Sequence, residues 1–144
     1  MRDLVTLGEA LLSVRTVGAL TPGGAASTHI AGAETNVAIG MARLGHRVAW
    51  AGVVGADAPG DAVLRALAAE GVASDLVRRD PTRPTGTMLV EARTADLTRV
   101  AYNRTGSAGS GVSYADVRAA LDAAPRLLHV TGITPALGPG PAAA

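Results

Sequence analysis

Short apolar runs alternate along this chain with segments of helical spacing, and this alternation limits the fold more than any other feature. The runs of strand length are Leu4–Leu7, Val48–Val54 and Leu127–Val130. Apolar residues recur at helical spacing over Thr35–Leu44, and Gly45 follows at the position where a left-handed glycine commonly ends a helix. A second helix is predicted to begin near Asp57 and Pro59 and to end before Gly71. Strands that alternate with helices predict an α/β fold with a parallel central sheet.

Further strand-like segments suggest a small second layer. Strands are predicted over Ala10–Arg15, Gly86–Glu91 and Thr98–Tyr102, with a turn at Thr94–Asp96. We expect the lid strands to lie within about residues 10–33 and 86–104 and to form a small β lid outside the parallel sheet.

The last quarter of the chain carries one more helix signal and one more strand signal. Ser113 and Asp116 resemble a capping box, which predicts a helix to about Ala123. Leu127–Val130 is expected to be a buried strand, and no helix is expected after it. A parallel sheet needs crossover helices on its faces, so we expect the architecture to be incomplete at Ala144.

Composition excludes several classes of function. The 13 basic residues are all arginines, they are scattered, and the net charge is +1, so nucleic-acid binding is not expected. The chain has no cysteine, which excludes disulfides, zinc–thiolate sites and thiol catalysis. The three histidines lie far apart, so no metal site is expected, and His129 is expected to be a hydrogen-bonded core residue. Arg78, Arg79 and Arg83 are expected to be solvated loop charges.

No signal for export or membrane insertion is found. Only a short apolar stretch precedes Glu9, too short for the apolar core of a signal peptide. The apolar C-terminal stretch from Leu127 is interrupted by prolines and glycines and would span a membrane poorly. We therefore expect a cytoplasmic protein.

A loop of small residues runs directly into the first predicted helix at Ala31–Ala38. Gly32 and Ala33 allow the backbone to approach a ligand closely, and the free N–H groups of a helix start can bind it. Glu34 follows them, and Asn36 adds a side chain that both donates and accepts hydrogen bonds, which suits sugar hydroxyls. The alternative is a tight turn with an asparagine near a helix N-terminus and no ligand.

The spacing after this loop is similar to the first signature of PfkB-type carbohydrate kinases. Six residues separate Ala38 from Gly45, and nine separate Gly45 from Gly55. Glu34 departs from that signature, which usually has Gly, Ala or Pro at this position. Other segments resemble the family in the same order along the chain: Gly8-Glu9, Gly55–Gly60, Leu67–Val72 and Pro81–Gly86. The resemblance implies a ribokinase-like α/β sandwich in which Glu9 accepts hydrogen bonds from sugar hydroxyls.

The segment Tyr102–Ala108 resembles the Tyr-x-Arg-x-x-Ser-Ala segment of the 2-keto-3-deoxygluconate kinases. In that branch the Tyr and the Arg line the sugar-acid pocket, which implies the same role for Tyr102 and Arg104. An arginine suits a carboxylate because it offers two parallel charge-assisted hydrogen bonds. Two alternatives remain open, since fructokinases carry similar Arg segments and an arginine at a strand end can simply be solvated.

The second motif of the family, Gly-Ala-Gly-Asp with its catalytic base, does not occur in this sequence. The resemblance implies ATP and Mg²⁺ for the full-length family, with neither bound by this chain alone. We expect residues 1–144 to be the N-terminal part of one kinase domain, without catalytic residues and without kinase activity. A homodimer through the lid is also implied.

Several other functions stay open at this stage. Within the enzyme class, the alternatives are a fructokinase, or another PfkB-type sugar or nucleoside kinase. Outside it, the alternative is a catalytically inactive, truncated sugar-binding protein. A dinucleotide-binding domain is excluded, because the first strand leads to Gly8-Glu9 and not to a Gly-x-Gly-x-x-Gly turn.

Overall fold

Two four-stranded sheets organise residues 1–94 and 96–144, the residues that the computed structural model describes. The strands are β1 (Leu4–Leu7), β2 (Leu11–Val17), β3 (Ala26–Ala31), β4 (Val48–Gly55), β5 (Ala73–Asp80), β6 (Thr87–Ala92), β7 (Thr98–Asn103) and β8 (Leu127–His129). The helices are α1 (Ala33–Arg43), α2 (Ala58–Ala69), α3 (Tyr114–Asp122), α4 (Ile133–Ala136) and α5 (Pro139–Ala143), with a 3-10 turn at Ala108–Gly111. The predicted α/β fold, with a parallel sheet and a small second sheet, is confirmed.

The first sheet is parallel throughout, in the order β5-β4-β1-β8. Alternate residues of its strands face two separate cores, as the two-residue period of a strand requires. On one face, Leu4, Trp50 and Val54 pack with residues of α1 and α2. On the other face, residues of the same strands pack with the 3-10 turn and α3. β4 is buried along its whole length, as the continuous apolar run predicts.

The second sheet has the order β3-β2-β6-β7 and mixes antiparallel with parallel pairs. β7 is exposed at every residue, and β3 is largely exposed. These strands lie in the two ranges where lid strands are expected from the sequence. The predicted turn at Thr94–Asp96 includes Ala95, which lies outside the described residues.

Two strands, β3 and β5, were not predicted individually from the sequence, although β3 lies within the range expected for lid strands. β5 forms an edge of the parallel sheet and includes Arg78 and Arg79, so the expectation that both are loop charges is wrong. The Arg78 guanidinium donates to both oxygens of Asp116, with its Nε and Nη2 atoms each 2.9 Å away. Burial raises the pKa of Asp116, but hydrogen bonds from Arg78 and Ser113 outweigh it and the net shift is downward. The ion pair fastens α3 to the edge of the sheet.

The C-terminal segment also differs from expectation. β8 pairs with β1 and ends the sheet, so Leu127 is exposed and Leu128 and His129 are only half-buried, where a buried strand was expected. Two short helices, α4 and α5, follow β8 where none was expected. Among the described residues, no helix has the length and apolar character needed to cross a bilayer.

The loop between β5 and β6 is fastened to the start of α2 by Asp57. Its carboxylate caps the helix by accepting from the Gly60 backbone N–H at 2.9 Å. It also accepts from the Thr85 backbone N–H at 2.8 Å and from the Thr85 hydroxyl at 2.6 Å. Burial raises the pKa of Asp57, but these hydrogen bonds outweigh it and lower the pKa below its usual range. The ionised carboxylate is therefore the form that stabilises the folded chain.

We expect Asp57→Ala to lower the free energy of unfolding by about 2–3 kcal/mol, because a helix cap and two further hydrogen bonds are lost together. The matched control is Asp122→Ala, whose carboxylate forms an exposed pair with Arg118 and should change the free energy by less than about 0.5 kcal/mol. Urea unfolding followed by circular dichroism measures both. Equal losses in the two variants would contradict the role given to Asp57.

Candidate functional site

A cavity of about 270 Å³ opens where β1 ends, α1 begins and β7 ends. Its walls are Glu9, Leu11, Ala31, Gly32, Ala33, Glu34, Asn36, Met88, Tyr102, Arg104 and Ile133. All seven residues singled out from the sequence for substrate binding lie around this one space, and their role in binding stays a prediction. The residues that the sequence did not reveal are apolar or small. Leu11 and Met88 belong to strands of the second sheet, and Ile133 opens α4, so no local pattern pointed to them.

Gly32 makes the turn between β3 and α1. Its φ of 151° is one that other residues rarely adopt. A Cβ atom at Gly32 would collide with the Glu9 carbonyl oxygen and lie 2.7 Å from the Thr35 hydroxyl. The Thr35 hydroxyl and the Asn36 backbone N–H each donate to the Gly32 carbonyl at 3.0 Å. The close approach of Gly32 to Glu9 brings the start of α1 next to the end of β1, and residues of this first turn line the cavity.

Glu34 is completely buried, although it departs from the family signature. Its Oε1 atom accepts from the Thr131 hydroxyl at 2.6 Å and from the Thr134 hydroxyl at 3.1 Å. Its Oε2 atom has no hydrogen-bond partner among the described residues. Gly8 packs directly against this carboxylate, because a Cβ atom there would lie 2.6 Å from each of its oxygens. Glu34 therefore connects the end of β1, the start of α1 and the segment after β8.

Glu9 and Arg104 form an ion pair at the opposite wall. The Nη2 atom of Arg104 lies 3.1 Å from Oε2 of Glu9, and the side chains are 27% and 4% exposed. The Oε1 atom of Glu9 is buried without a partner among the described residues. Burial raises the pKa of Glu9, the charge of Arg104 opposes this shift, the charge of Glu34 adds to it, and the nearby Ser107 hydroxyl lowers the pKa. The net effect is a pKa above the ordinary value of a glutamate.

Tyr102 and Asn36 provide the more open part of the wall, and both are exposed. The guanidinium carbon of Arg104 lies 5.4 Å from the centre of the Tyr102 ring, within the range of a cation–π contact. Met88 is the cross-strand partner of Tyr102 in the β6–β7 pair. The cavity thus combines an apolar floor, an aromatic ring, an amide, two carboxylates and one guanidinium, a set that suits a small polyhydroxylated ligand.

The histidines take no part in this site. His129 was expected to be a hydrogen-bonded core residue, but its buried Nε2 atom has no partner among the described residues. β8 lies at an edge of the parallel sheet, and His129 is only half-buried there, so it is not a core residue. Within residues 1–94 and 96–144, no three His, Asp or Glu side chains come together as metal ligands would.

The sequence pattern of the family described as pfkB family carbohydrate kinase matches residues 1–141. The chain belongs to this family. It is 39% identical over 138 residues to a 2-dehydro-3-deoxygluconokinase of Bacillus subtilis (strain 168), an alignment that covers 94% of this chain and 43% of that protein. It is 36% identical over 144 residues to a 2-dehydro-3-deoxygluconokinase of Thermoproteus tenax, covering 95% of this chain and 43% of the relative.

Solved structures agree with the predicted fold. A PfkB protein from Polaromonas sp. JS666 superimposes with a TM-score of 0.90 at 38% identity, covering 99% of this chain and 49% of that chain. A 2-dehydro-3-deoxygluconokinase from Thermotoga maritima superimposes with a TM-score of 0.84 at 28% identity, and the match covers 96% of this chain and 43% of that chain. A fructokinase from Xylella fastidiosa, solved with bound ATP, superimposes with a TM-score of 0.82 at 25% identity, and the match covers 99% of this chain and 45% of that chain. The fold is therefore the ribokinase-like parallel-sheet sandwich with a small β lid. The chain spans less than half the length of the relatives it matches.

Gly8→Ala should lower the free energy of unfolding by about 1–3 kcal/mol, because the new methyl group has to displace a carboxylate that is fully buried. Gly40→Ala is the matched control: Gly40 is exposed within α1 and a Cβ there meets nothing within 4 Å. That change should raise the free energy of unfolding by up to about 1 kcal/mol, as alanine favours helix. Thermal and urea unfolding measure both, and a neutral Gly8→Ala would contradict the close packing of Glu34.

Proposed function

We propose that residues 1–144 supply the sugar-binding part of an ATP-dependent kinase that acts on a small sugar acid of the 2-keto-3-deoxygluconate type (also called 2-dehydro-3-deoxygluconate). In this proposal the residues belong to a single kinase domain whose catalytic base and nucleotide site lie outside this chain. The observation that carries the proposal is the position of Arg104 beside Tyr102 in the wall of the cavity. The curated relatives at 36–39% identity, which bear the name of that activity, support the same substrate class.

The residues that line the cavity do not suit a nucleoside triphosphate such as ATP. Two of its three charged side chains are carboxylates, which would repel the phosphates, and the sequence contains no lysine to form a phosphate-binding loop. The role proposed for these residues is therefore binding of the sugar and not of ATP or Mg²⁺. A kinase that uses ATP also fits the cytoplasmic location expected from the sequence.

The contribution of this chain to the reaction is positioning. Glu9, Asn36 and the first turn of α1 would bind sugar hydroxyls, and Arg104 would hold the carboxylate of the substrate. A fixed orientation lowers the entropic cost of bringing the attacking hydroxyl to the phosphoryl donor. The second sheet, which carries Tyr102, would cover the bound sugar and exclude water that otherwise competes for the phosphoryl group.

A neutral hexose is the second candidate substrate, and one observation favours it. With both carboxylates ionised, the three charged side chains around the cavity sum to −1, which suits a neutral polyol better than an anion. This would make the enzyme a fructokinase or another sugar kinase of the family. A sugar-binding protein without kinase activity is the remaining alternative.

We also propose a homodimer that forms through the second sheet. Val17, Leu97 and Val100 are apolar and exposed on or beside its strands, and a dimer interface on this sheet would cover them. Light scattering after size-exclusion chromatography tests the proposal, because a monomer at micromolar concentration would contradict it.

Arg104→Met should weaken binding of 2-keto-3-deoxygluconate by at least about tenfold, because charge-assisted hydrogen bonds to the carboxylate are lost. Fructose has no carboxylate, so its affinity should change by less than about threefold. Arg99→Met is the control, since Arg99 lies on the exposed strand β7 and does not line the cavity. Isothermal titration calorimetry measures all six affinities, those of the unmodified chain and of the two variants for each sugar. Equal losses for the acid and for fructose would contradict the assignment of Arg104 to the carboxylate.

The chain by itself should form no sugar-dependent ADP from Mg-ATP, because the family's catalytic base and phosphate-binding helix are not among its residues. A coupled ADP-release assay with 2-keto-3-deoxygluconate or fructose measures this, and the Thermotoga maritima 2-dehydro-3-deoxygluconokinase serves as the positive control. ADP release that depends on either sugar would show that the described residues suffice for phosphoryl transfer. It would overturn the proposal that the catalytic base and the nucleotide site lie outside this chain.

A further inference from the structure

A sugar acid faces an electrostatic conflict in this cavity. The charged side chains lining it in the described part of the chain are Glu9, Glu34 and Arg104. An anionic ligand would add a second uncompensated negative charge to a site where both carboxylates are at most 4% exposed. Charges interact strongly in such a poorly solvated place. Binding of an acid therefore requires that one of the resident negative charges be removed or displaced.

Arg104 is already engaged in the empty cavity. Its one ion pair among the described residues is the contact between its Nη2 atom and Oε2 of Glu9, at 3.1 Å. No hydrogen bond of good geometry accompanies this contact in the same residues, so the two planar groups are not joined by two parallel bonds. A ligand carboxylate that forms the bidentate arrangement would be the better partner for the guanidinium.

Glu9 is the carboxylate whose charge can change. Each carboxylate has one buried oxygen without a partner in residues 1–94 and 96–144, but the other oxygen of Glu34 accepts from two threonines, whereas that of Glu9 faces Arg104, which a ligand could draw away. The charged groups that face Glu9 are Arg104, which follows β7, and Glu34 at the start of α1. The 3-10 turn adds no charge, since it packs Gly109 against the Glu9 side chain. Burial already raises the pKa of Glu9. The pKa would rise further if the Arg104 guanidinium paired with a ligand carboxylate and no longer with Glu9.

We propose that Glu9 takes up one proton from solvent when a sugar acid binds, which frees Arg104 to pair with the carboxylate of the ligand. The inference rests on the proposed function. In the complex, Glu9 is a neutral carboxylic acid that can donate a hydrogen bond to the ligand. The charges of the site and the ligand then sum to −1, the same as in the empty cavity. No bond of the sugar is made or broken, and the proton is returned to solvent on release. The protonation state of Glu9 thus determines whether the cavity accepts an anionic or a neutral ligand.

The sign of the pH dependence follows from this proton balance. Binding that takes up a proton weakens as the pH rises above the pKa of Glu9 in the empty cavity, by up to about tenfold per pH unit. A neutral sugar requires no proton, so its affinity should stay nearly constant over the same range. Acid and neutral ligands therefore differ in the slope of their affinity against pH, whatever their absolute affinities.

The experiment is isothermal titration calorimetry of the full 144-residue chain with 2-keto-3-deoxygluconate across about pH 5 to 8. At each pH the titration is run in two non-anion-competing buffers of different ionisation enthalpy, and the difference in binding enthalpy, divided by the difference in ionisation enthalpy, gives the number of protons taken up. We expect uptake that approaches one proton for the acid, none for fructose, and none for the acid with Glu9→Gln, whose affinity should no longer depend on pH.

Each outcome supports or overturns the inference. Acid binding without proton uptake overturns it and leaves the proposed function standing. Failure of the acid to bind while fructose binds, or failure of both to bind, overturns the proposed substrate and the inference with it. Proton uptake that persists in Glu9→Gln assigns the proton to another group and also overturns the inference. If the variant does not fold, the ¹³C shift of the Glu9 carboxyl in the unmodified chain reports its protonation directly, and a shift that acid binding leaves unchanged overturns the inference.

Discussion

The carboxylate of Glu34 is the contact on which the arrangement of the candidate site depends. It lies against Gly8 at the end of β1, belongs to the first turn of α1 and accepts hydroxyl hydrogen bonds from Thr131 and Thr134. A charge this deeply buried is stable only when it is hydrogen-bonded, so the three segments are fixed relative to one another. These contacts of Glu34 therefore fix the positions of the segments that form the cavity walls.

The opposite wall shows a different use of a buried carboxylate. Glu9 shares its surroundings with one guanidinium and one other carboxylate, and half of its hydrogen-bonding capacity is unused in the described residues. One oxygen of Glu34 accepts hydrogen bonds from two hydroxyls, so this carboxylate connects distant segments of the fold. The contact of Glu9 is with Arg104, a side chain of the cavity wall, and its role in ligand binding stays a prediction. Two glutamates around one small cavity thus have different neighbours.

Sequence reasoning predicted those features that are encoded locally. The apolar runs of β1 and β4 and the helical spacing of α1 and α2 are such features, and each was predicted from its own segment of the sequence. β5 was missed because its arginines interrupt the apolar pattern, and only its position at the sheet edge makes them acceptable there. The threonines that bind Glu34 could not be predicted either, since they lie 97 and 100 residues further along the chain and have no local signature. Edge and centre strands also look alike in sequence, which explains the error at Leu127–Val130.

The long sequence separation between Glu34 and its threonines has a consequence for synthesis. The ribosome adds residues from the N-terminus, so β1, α1 and β4 emerge well before residue 134. Until then the Glu34 carboxylate lacks both hydroxyl donors, and burying it would carry a large desolvation cost. The sheet centre can pair early, but the cavity acquires its final shape only after Thr134 has left the exit tunnel. A nascent chain that stalls before that point would expose this region to solvent and to chaperones.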